Sequence, residues 1–254
     1  MARGDAFRLR PLLARAFEFP DGFRIARHDH GGGQLEYASA GVMTVVTDDG
    51  AWVVPPQRAV WLPPLTPHEV RMRGAVSMRT VYVSPGLSRR MPRSCCVVAV
   101  TPLLSELILA AVAMDEPYPL GGAEERLFRV LLDRVRVAHV APLHLPLRAE
   151  GPLRELTLAM QRDPSDARGL DAWAHDAGMS GRTVARLFRS GTGMTFGGWR
   201  QQMRLLEAMR LLASGVGVTE TALACGYDST SAFIGMFRRA TGRSPGRYFA
   251  ADSG

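Results

Sequence analysis

Two histidines stand one residue apart in the stretch RHDHGGGQLEYASAG, residues 27–41. Side chains alternate along a β-strand, so His28 and His30 are expected to leave the same face of one strand, their imidazoles converging on one point. Neutral imidazole is a common metal ligand, and its protonation changes near neutral pH. The pair raises two readings: the metal site of an enzyme, or the sensing end of a protein whose work is done elsewhere. A second group is cationic. Arg182, Arg186 and Arg189 follow at spacings of four and three, on neighbouring turns of one helix face. Guanidinium groups on such a face can reach phosphates or the O6 and N7 edge of guanine; the competing reading is a solvated face. The three cysteines, Cys95, Cys96 and Cys225, form neither a disulfide framework nor a zinc spacing, and buried thiols are expected. No serine or cysteine nucleophile pattern accompanies them.

Those residues need elements to hold them. Residues from about 22 to 84 read as β structure. EYASAGVMTVVT, AWVVPP, RAVWLPP and SMRTVYVSP are short runs rich in Val, Thr, Tyr and Trp, broken by Gly, Pro and Asp. Asp49-Gly50 is a hairpin signal between two of them, and many short strands suggest a small barrel or jelly roll. After about residue 100 the periodicity becomes helical. Thr101 with Pro102 behind it predicts a helix start, and Leu103, Leu104, Leu107, Ile108 and Ala111 share one face. Leu127, Val130, Leu131, Val135 and Ala138 repeat the pattern. These helices either cover a core or pack against a second subunit; Leu103, Leu107, Leu127 and Leu131 are the stripes expected to build a homodimer interface. Residues 141–152, APLHLPLRAEGP, are proline-rich without periodicity and form the best linker candidate.

From Pro152 onward only helices are expected, with one loose duplication. In the first copy, LDAWAHDAGMSGRTVARLFRSGTG, Leu170, Trp173, Ala174 and Ala177 make an apolar face. Gly178 ends that helix, Ser180 caps the next, and Val184, Leu187 and Phe188 turn inward. In the second, VTETALACGYDSTSAFIGMFRRATG, Val218, Ala222 and Cys225 face the core and Gly226 ends the helix. Phe233, Met236 and Phe237 turn inward, leaving Thr230, Ser231, Ile234 and Arg238 outside. Two short helices joined by a glycine turn make a helix–turn–helix. Between the copies, residues 196–213 read as one helix of roughly 27 Å. That length is near the ~34 Å between successive major-groove faces, so one chain can set two reading helices in adjacent groove segments.

The segments LFRSGTGMTFGGWRQQMRLLEAMRLLASG and ALACGYDSTSAFIGMFRRATGRSPGRYF closely resemble the DNA-binding domain of the AraC/XylS transcription regulators. The resemblance covers about 85 residues and implies operator DNA as partner. It places Arg182, Ala185 and Arg186 at groove-facing positions of the first reading helix, and Thr230, Ser231 and Ile234 at those of the second. Arg189 projects on the same side as Arg186. Gly235 stands where some members carry a basic base-contacting residue, so the second copy is expected to work mainly through phosphate contacts such as Arg238. For Arg200, Arg204 and Arg210 a solvated or structural role is expected.

The N-terminal segment resembles the cupin barrel. Gly22, His28, His30, Gln34 and Gly41 meet the spacing of the first cupin motif. In the second, Pro63 and His68 are in register, while Gln57, Leu65 and Met72 replace the usual Gly, Gly and Asn. The resemblance implies a metal site of His28, His30, His68 and the oxygen of Gln34, a donor set suited to Zn, Fe, Mn or Ni. A metal-free pocket for an unknown small-molecule effector, lined by Tyr37, Trp52 and Trp61, is the other reading, and a vestigial site the third.

Composition sets the frame. The chain has 254 residues, 46% hydrophobic and 22% charged, ordinary for a globular protein. It carries a net charge of +7, and all its cationic side chains other than histidine are arginine. Basicity fits a nucleic-acid partner. No apolar run reaches a membrane span's roughly 18 residues, and the N-terminus lacks a signal-peptide pattern, so a cytoplasmic protein without membrane partners is expected. The expected architecture is α+β and multidomain. A cupin-like sensor takes residues 1–95, a helical linker and dimerisation region 96–150, and an all-α DNA-binding domain with two helix–turn–helix motifs 151–254. The expected function is a sequence-specific transcription regulator, not an enzyme, controlled by metal or small molecule in the barrel. RNA polymerase joins the partners if the protein activates. The alternative is a cupin dioxygenase or isomerase fused to a DNA-binding tail.

Overall fold

A computed structural model describes residues 11–115, 117–136, 140–141, 143–147 and 150–249. Two compact units form: residues 1–47 with 52–144, and 48–51 with 145–254. Ala138 of the expected apolar face lies outside the described residues.

The first unit is built on two long strands. The strands are β1 (Leu12–Phe19), β2 (Arg24–His28), β3 (Gly33–Thr47), β4 (Gly50–Val54), β5 (Arg58–Leu62) and β6 (His68–Val83). A single turn, α1 (Pro85–Ser88), precedes β7 (Cys96–Ala99), then the helices α2 (Pro102–Val112) and α3 (Ala123–Arg136), and β8 (Val140–Ala141). β9 (His144–Pro146) follows. β3 and β6 run antiparallel from Gly33 opposite Val83 to Val46 opposite Glu69, with bulges near Ala40. β1 and β2 flank different halves of β6, and the sheet continues from β3 through β5 and β7 to β8.

The cupin-like closed barrel expected from the motif spacing does not form. The sheet is open, its path ending at β1 and at β8, and no pairing joins those ends among the described residues. Closure requires the last strand to bond the first at a fixed tilt and stagger. β7 has four residues, too short to line the eight-residue β1. The glycine and histidine spacings that suggested a barrel constrain turns and ligand placement, not the pairing of distant edges. Regulation through a ligand enclosed in a cupin barrel falls with the barrel.

α2 and α3 cover one face of this sheet. Thr101 accepts the Leu104 N–H at 3.2 Å and Pro102 opens α2, so the expected helix start is present. Leu104, Ile108, Phe128, Leu131 and Val135 are buried against Leu12, Leu35, Trp61, Val81 and Val83. Burial of each such side chain contributes roughly 1.5–3 kcal/mol. Leu131 is thus a core residue rather than part of an exposed stripe, and Leu107 and Leu127 also lean on the core. Leu103 and Val130 remain outside, 54% and 44% exposed. Trp61, Trp52 and Tyr37, expected to line a pocket, are core as well. The Trp61 indole donates to the Pro92 carbonyl, Tyr37 bonds Ser105, and Trp52 stacks on His144.

The second unit is helical: α4 (Pro152–Arg162), α5 (Leu170–Asp176), α6 (Gly181–Thr192), α7 (Phe196–Ala213), α8 (Val218–Ala224), α9 (Thr230–Thr241) and α10 (Pro245–Phe249). Ser180, Thr195 and Ser229 cap α6, α7 and α9 by accepting the N–H of Thr183, Gly198 and Ala232. α7 spans the 18 residues expected. Each helix pair closes on an aromatic cluster: Phe188 meets Phe196 and Trp199 edge-on, and Phe233 packs between Tyr227 and Phe237.

Candidate metal centre and nucleic-acid interface

The three histidines converge, by a route the sequence did not show. His28 is the last residue of β2, whereas His30 lies beyond that strand, so the two do not share a strand face. His68 opens β6 and pairs directly with His28. Ring centroids stand 4.8 Å apart for His28 and His30, 4.4 Å for His28 and His68, and 5.8 Å for His30 and His68. One ligand atom from each ring lies within 4.8 Å of the others. With bonds of about 2.1 Å an ion spans at most about 4.2 Å between two nitrogens, so small ring rotations close the cluster around it.

The ring chemistry suits a metal. His28 Nδ1 donates to the Ala26 carbonyl and His68 Nδ1 to the Thr66 carbonyl, both at 2.8 Å. In a neutral ring that leaves the Nε2 lone pair free, as metal-binding histidines require. His30 Nε2 and His68 Nε2 are buried without a hydrogen-bond partner. Burial holds the His68 imidazolium down to about 4, so the ring is neutral at ordinary pH. Desolvation, reinforced by His28, lowers His30 too.

Gln34 is buried beside the cluster, and its amide donates to Glu36 Oε1 at 2.9 Å. Glu36 is the residue sequence reasoning missed. It is 1% exposed, burial pushes its carboxyl up to about 8, and Oε1 lies 3.8 Å from His68 Nε2. The signal was available: residues two apart on β3 share a face, and a glutamate two places after a candidate ligand points the same way. Tyr82 pairs with Gln34 across the sheet and meets His30 edge-on at 5.3 Å, its phenol pushed up to about 12 by burial and by Glu36.

The worn second motif keeps the glycine geometry. Gln57 and Leu65, where the cupin pattern has glycine, adopt φ of 64° and 59°. The Leu65 N–H donates to the His30 carbonyl at 2.8 Å, so this left-handed turn ties down the backbone at the cluster.

In the second unit, Arg182, Arg186 and Arg189 stand exposed along α6, with no ion pair among the described residues, and Ala185 is half-buried between them. On α9, Ser231 and Arg238 are exposed and Thr230 and Ile234 half-buried. Arg204 is structural: it donates to the carbonyls of Pro164 and Asp166, each at 2.9 Å, and lies over Tyr227. Arg200 lies over Phe196, and Arg210 pairs with Glu207 on its own helix. Among the described residues no helix is long and apolar enough to cross a membrane.

Residues 11–131 match the AraC-like ligand binding domain and residues 173–251 the helix-turn-helix domain. The chain is 35% identical over 223 residues to the HTH-type transcriptional regulator NimR of Escherichia coli (strain K12), covering 88% of this chain and 81% of that protein. It is 32% identical over 109 residues to the HTH-type transcriptional regulator RipA of Corynebacterium glutamicum, covering 43% of this chain and 33% of that protein. Among solved structures, the DNA-binding domain of AdpA in complex with a target DNA is 38% identical, with a TM-score of 0.37, over 39% of this chain and 90% of that chain.

Proposed function

The chain belongs to the AraC-type helix-turn-helix transcription regulators, DNA-binding proteins and not enzymes, and from that premise we propose that a divalent metal ion held by its three histidines controls how it reads operator DNA. The observation that carries the proposal is the pair of imidazoles whose Nδ1–H groups are tied to carbonyls, leaving Nε2 lone pairs within one converging cluster. Zinc, iron, manganese and nickel suit three imidazoles and an oxygen from β3. Arg182, Ala185, Arg186 and Arg189 on α6 enter one major-groove segment; Thr230, Ser231, Ile234 and Arg238 on α9 enter or flank the next. The protein works in the cytoplasm as a homodimer joined through the exposed apolar residues of α2 and α3, and contacts RNA polymerase if it activates.

The ion acts through its preference for one conformation of the first unit, and shifts DNA affinity only by that differential binding. The test is a fluorescence-anisotropy titration of promoter DNA, with and without zinc, on wild type and on His28→Ala/His68→Ala. Wild type should respond to zinc, and the double variant should bind DNA at the basal level without responding. A double variant that responds like wild type would end the metal-control reading.

A second reading, a small organic molecule as effector, is favoured by a cavity of about 570 Å³ in the first unit. Leu12, Leu87 and Met91 contribute apolar surface to it, Arg129 and Arg136 are paired with Glu125 and Asp133, which also line it, and Arg90 adds a further cation. Its size is that of small-molecule sites.

A further inference from the structure

The sheet buries a carboxyl group against the lone pair of an imidazole. Glu36 lies two residues after Gln34 on β3, and both side chains are buried. The Gln34 amide donates to Glu36 Oε1, while Glu36 Oε2 has no hydrogen-bond partner. His68 Nε2, 3.8 Å from Oε1, has none either. His68 cannot supply a proton there as a neutral ring, because its Nδ1–H is already given to the Thr66 carbonyl. Once the Glu36 carboxyl gives up its proton, two electron-rich groups face each other inside the sheet, at a depth where unpaired polar atoms are costly. A cation between them turns that repulsion into two bonds.

We infer that Glu36 supplies the oxygen ligand of the ion held by His28, His30 and His68, and that Gln34 is the amide that orients Glu36. This rests on the reading of the cluster as a metal centre. The chemistry favours the carboxylate over the amide. Three neutral imidazoles leave a divalent ion with its full charge, and one carboxylate halves it, whereas an amide oxygen adds no charge. The hydrogen bond from Gln34 is the kind of outer support that ligating carboxylates keep, and its loss typically costs 10–100-fold in metal affinity. The remaining buried oxygen of Gln34 is without a partner.

The experiment uses the full chain and zinc alone, followed by competition titration with a chromophoric chelator, with cobalt substitution as a spectroscopic check. Wild type should bind one ion per chain. Glu36→Gln should weaken binding more than the roughly 100-fold upper range of outer-shell losses and change the cobalt visible spectrum. Gln34→Ala should weaken it by about 10–100-fold and keep the spectrum. Glu36→Asp keeps the charge and should retain binding that Glu36→Gln loses. That comparison holds even if the glutamine variant melts early. Wild-type affinity in Glu36→Gln, equal affinities in Glu36→Gln and Glu36→Asp, or a larger loss in Gln34→Ala would each overturn the assignment. If any of these occurs while His68→Ala abolishes binding, the metal centre itself stands. A wild type that binds no zinc removes both.

Discussion

Gly178 and Gly226 occupy the same place in the two helix–turn–helix copies, and alanine at each should have very different consequences. Both adopt left-handed φ, +65° and +72°. A Cβ at Gly178 meets nothing within 4 Å, so Gly178→Ala carries only the left-handed penalty, roughly 1–2 kcal/mol. A Cβ at Gly226 falls 2.6 Å from the Ser165 carbonyl oxygen and 2.6 Å from Arg204 Nη2. The carbonyl is backbone and cannot rotate aside. It belongs to the loop that Arg204 holds through the carbonyls of Pro164 and Asp166. Moving the loop or the guanidinium sacrifices those bonds, about 1.5–3 kcal/mol each for a charged donor, of which rearrangement recovers part. Gly226→Ala should therefore cost about 2–4 kcal/mol more than Gly178→Ala. Urea unfolding of the full chain, followed by helical circular dichroism, reads the difference. At a slope of 1–3 kcal/mol per molar, the two midpoints should separate by roughly 0.7–4 M. Equal midpoints would refute the argument that the Ser165 loop is clamped in place.

On α6, Arg182→Ala and Arg186→Ala should each weaken specific operator binding by about 1–3 kcal/mol and relax preference at one base pair; unchanged affinity and preference in Arg186→Ala would remove α6 from the reading surface. Arg238→Ala should weaken specific and random DNA alike and flatten the log–log salt slope by about 0.9. Joint Leu103→Asp and Val130→Asp should give a monomer by light scattering, whereas Leu131→Asp should unfold the first unit, because Leu131 is fully buried. Leu65→Gly should raise the melting temperature slightly, by relief of about 0.5–1 kcal/mol net of the added chain entropy, and a fall would show that the Leu65 side chain holds the turn. The Cys225 thiol is buried and pushed up to about 12, so it should resist disulfide-exchange reagents at pH 8 until the chain is unfolded.

The helical half was legible because its determinants are local. Ser180, Thr195 and Ser229 each cap within three residues, the apolar spacing repeats within two turns, and Gly178 and Gly226 mark the turns. Those features depend on neighbours along the chain, so they can be read one window at a time. The histidine cluster was legible in membership but not in geometry. His28 and His30 meet although only one lies on β2, because β2 pairs with β6 in a register that sets His28 opposite His68. Glu36 shares a strand face with Gln34, a signal the motif spacing passed over because it stops at Gln34, and β3 and β6 bring its oxygen to 3.8 Å from His68. The shape of the sheet was misjudged for the same reason. Whether β1 and β8 join is a matter of strand length, bulge and twist summed over the strands between them, and no stretch of the sequence records that sum.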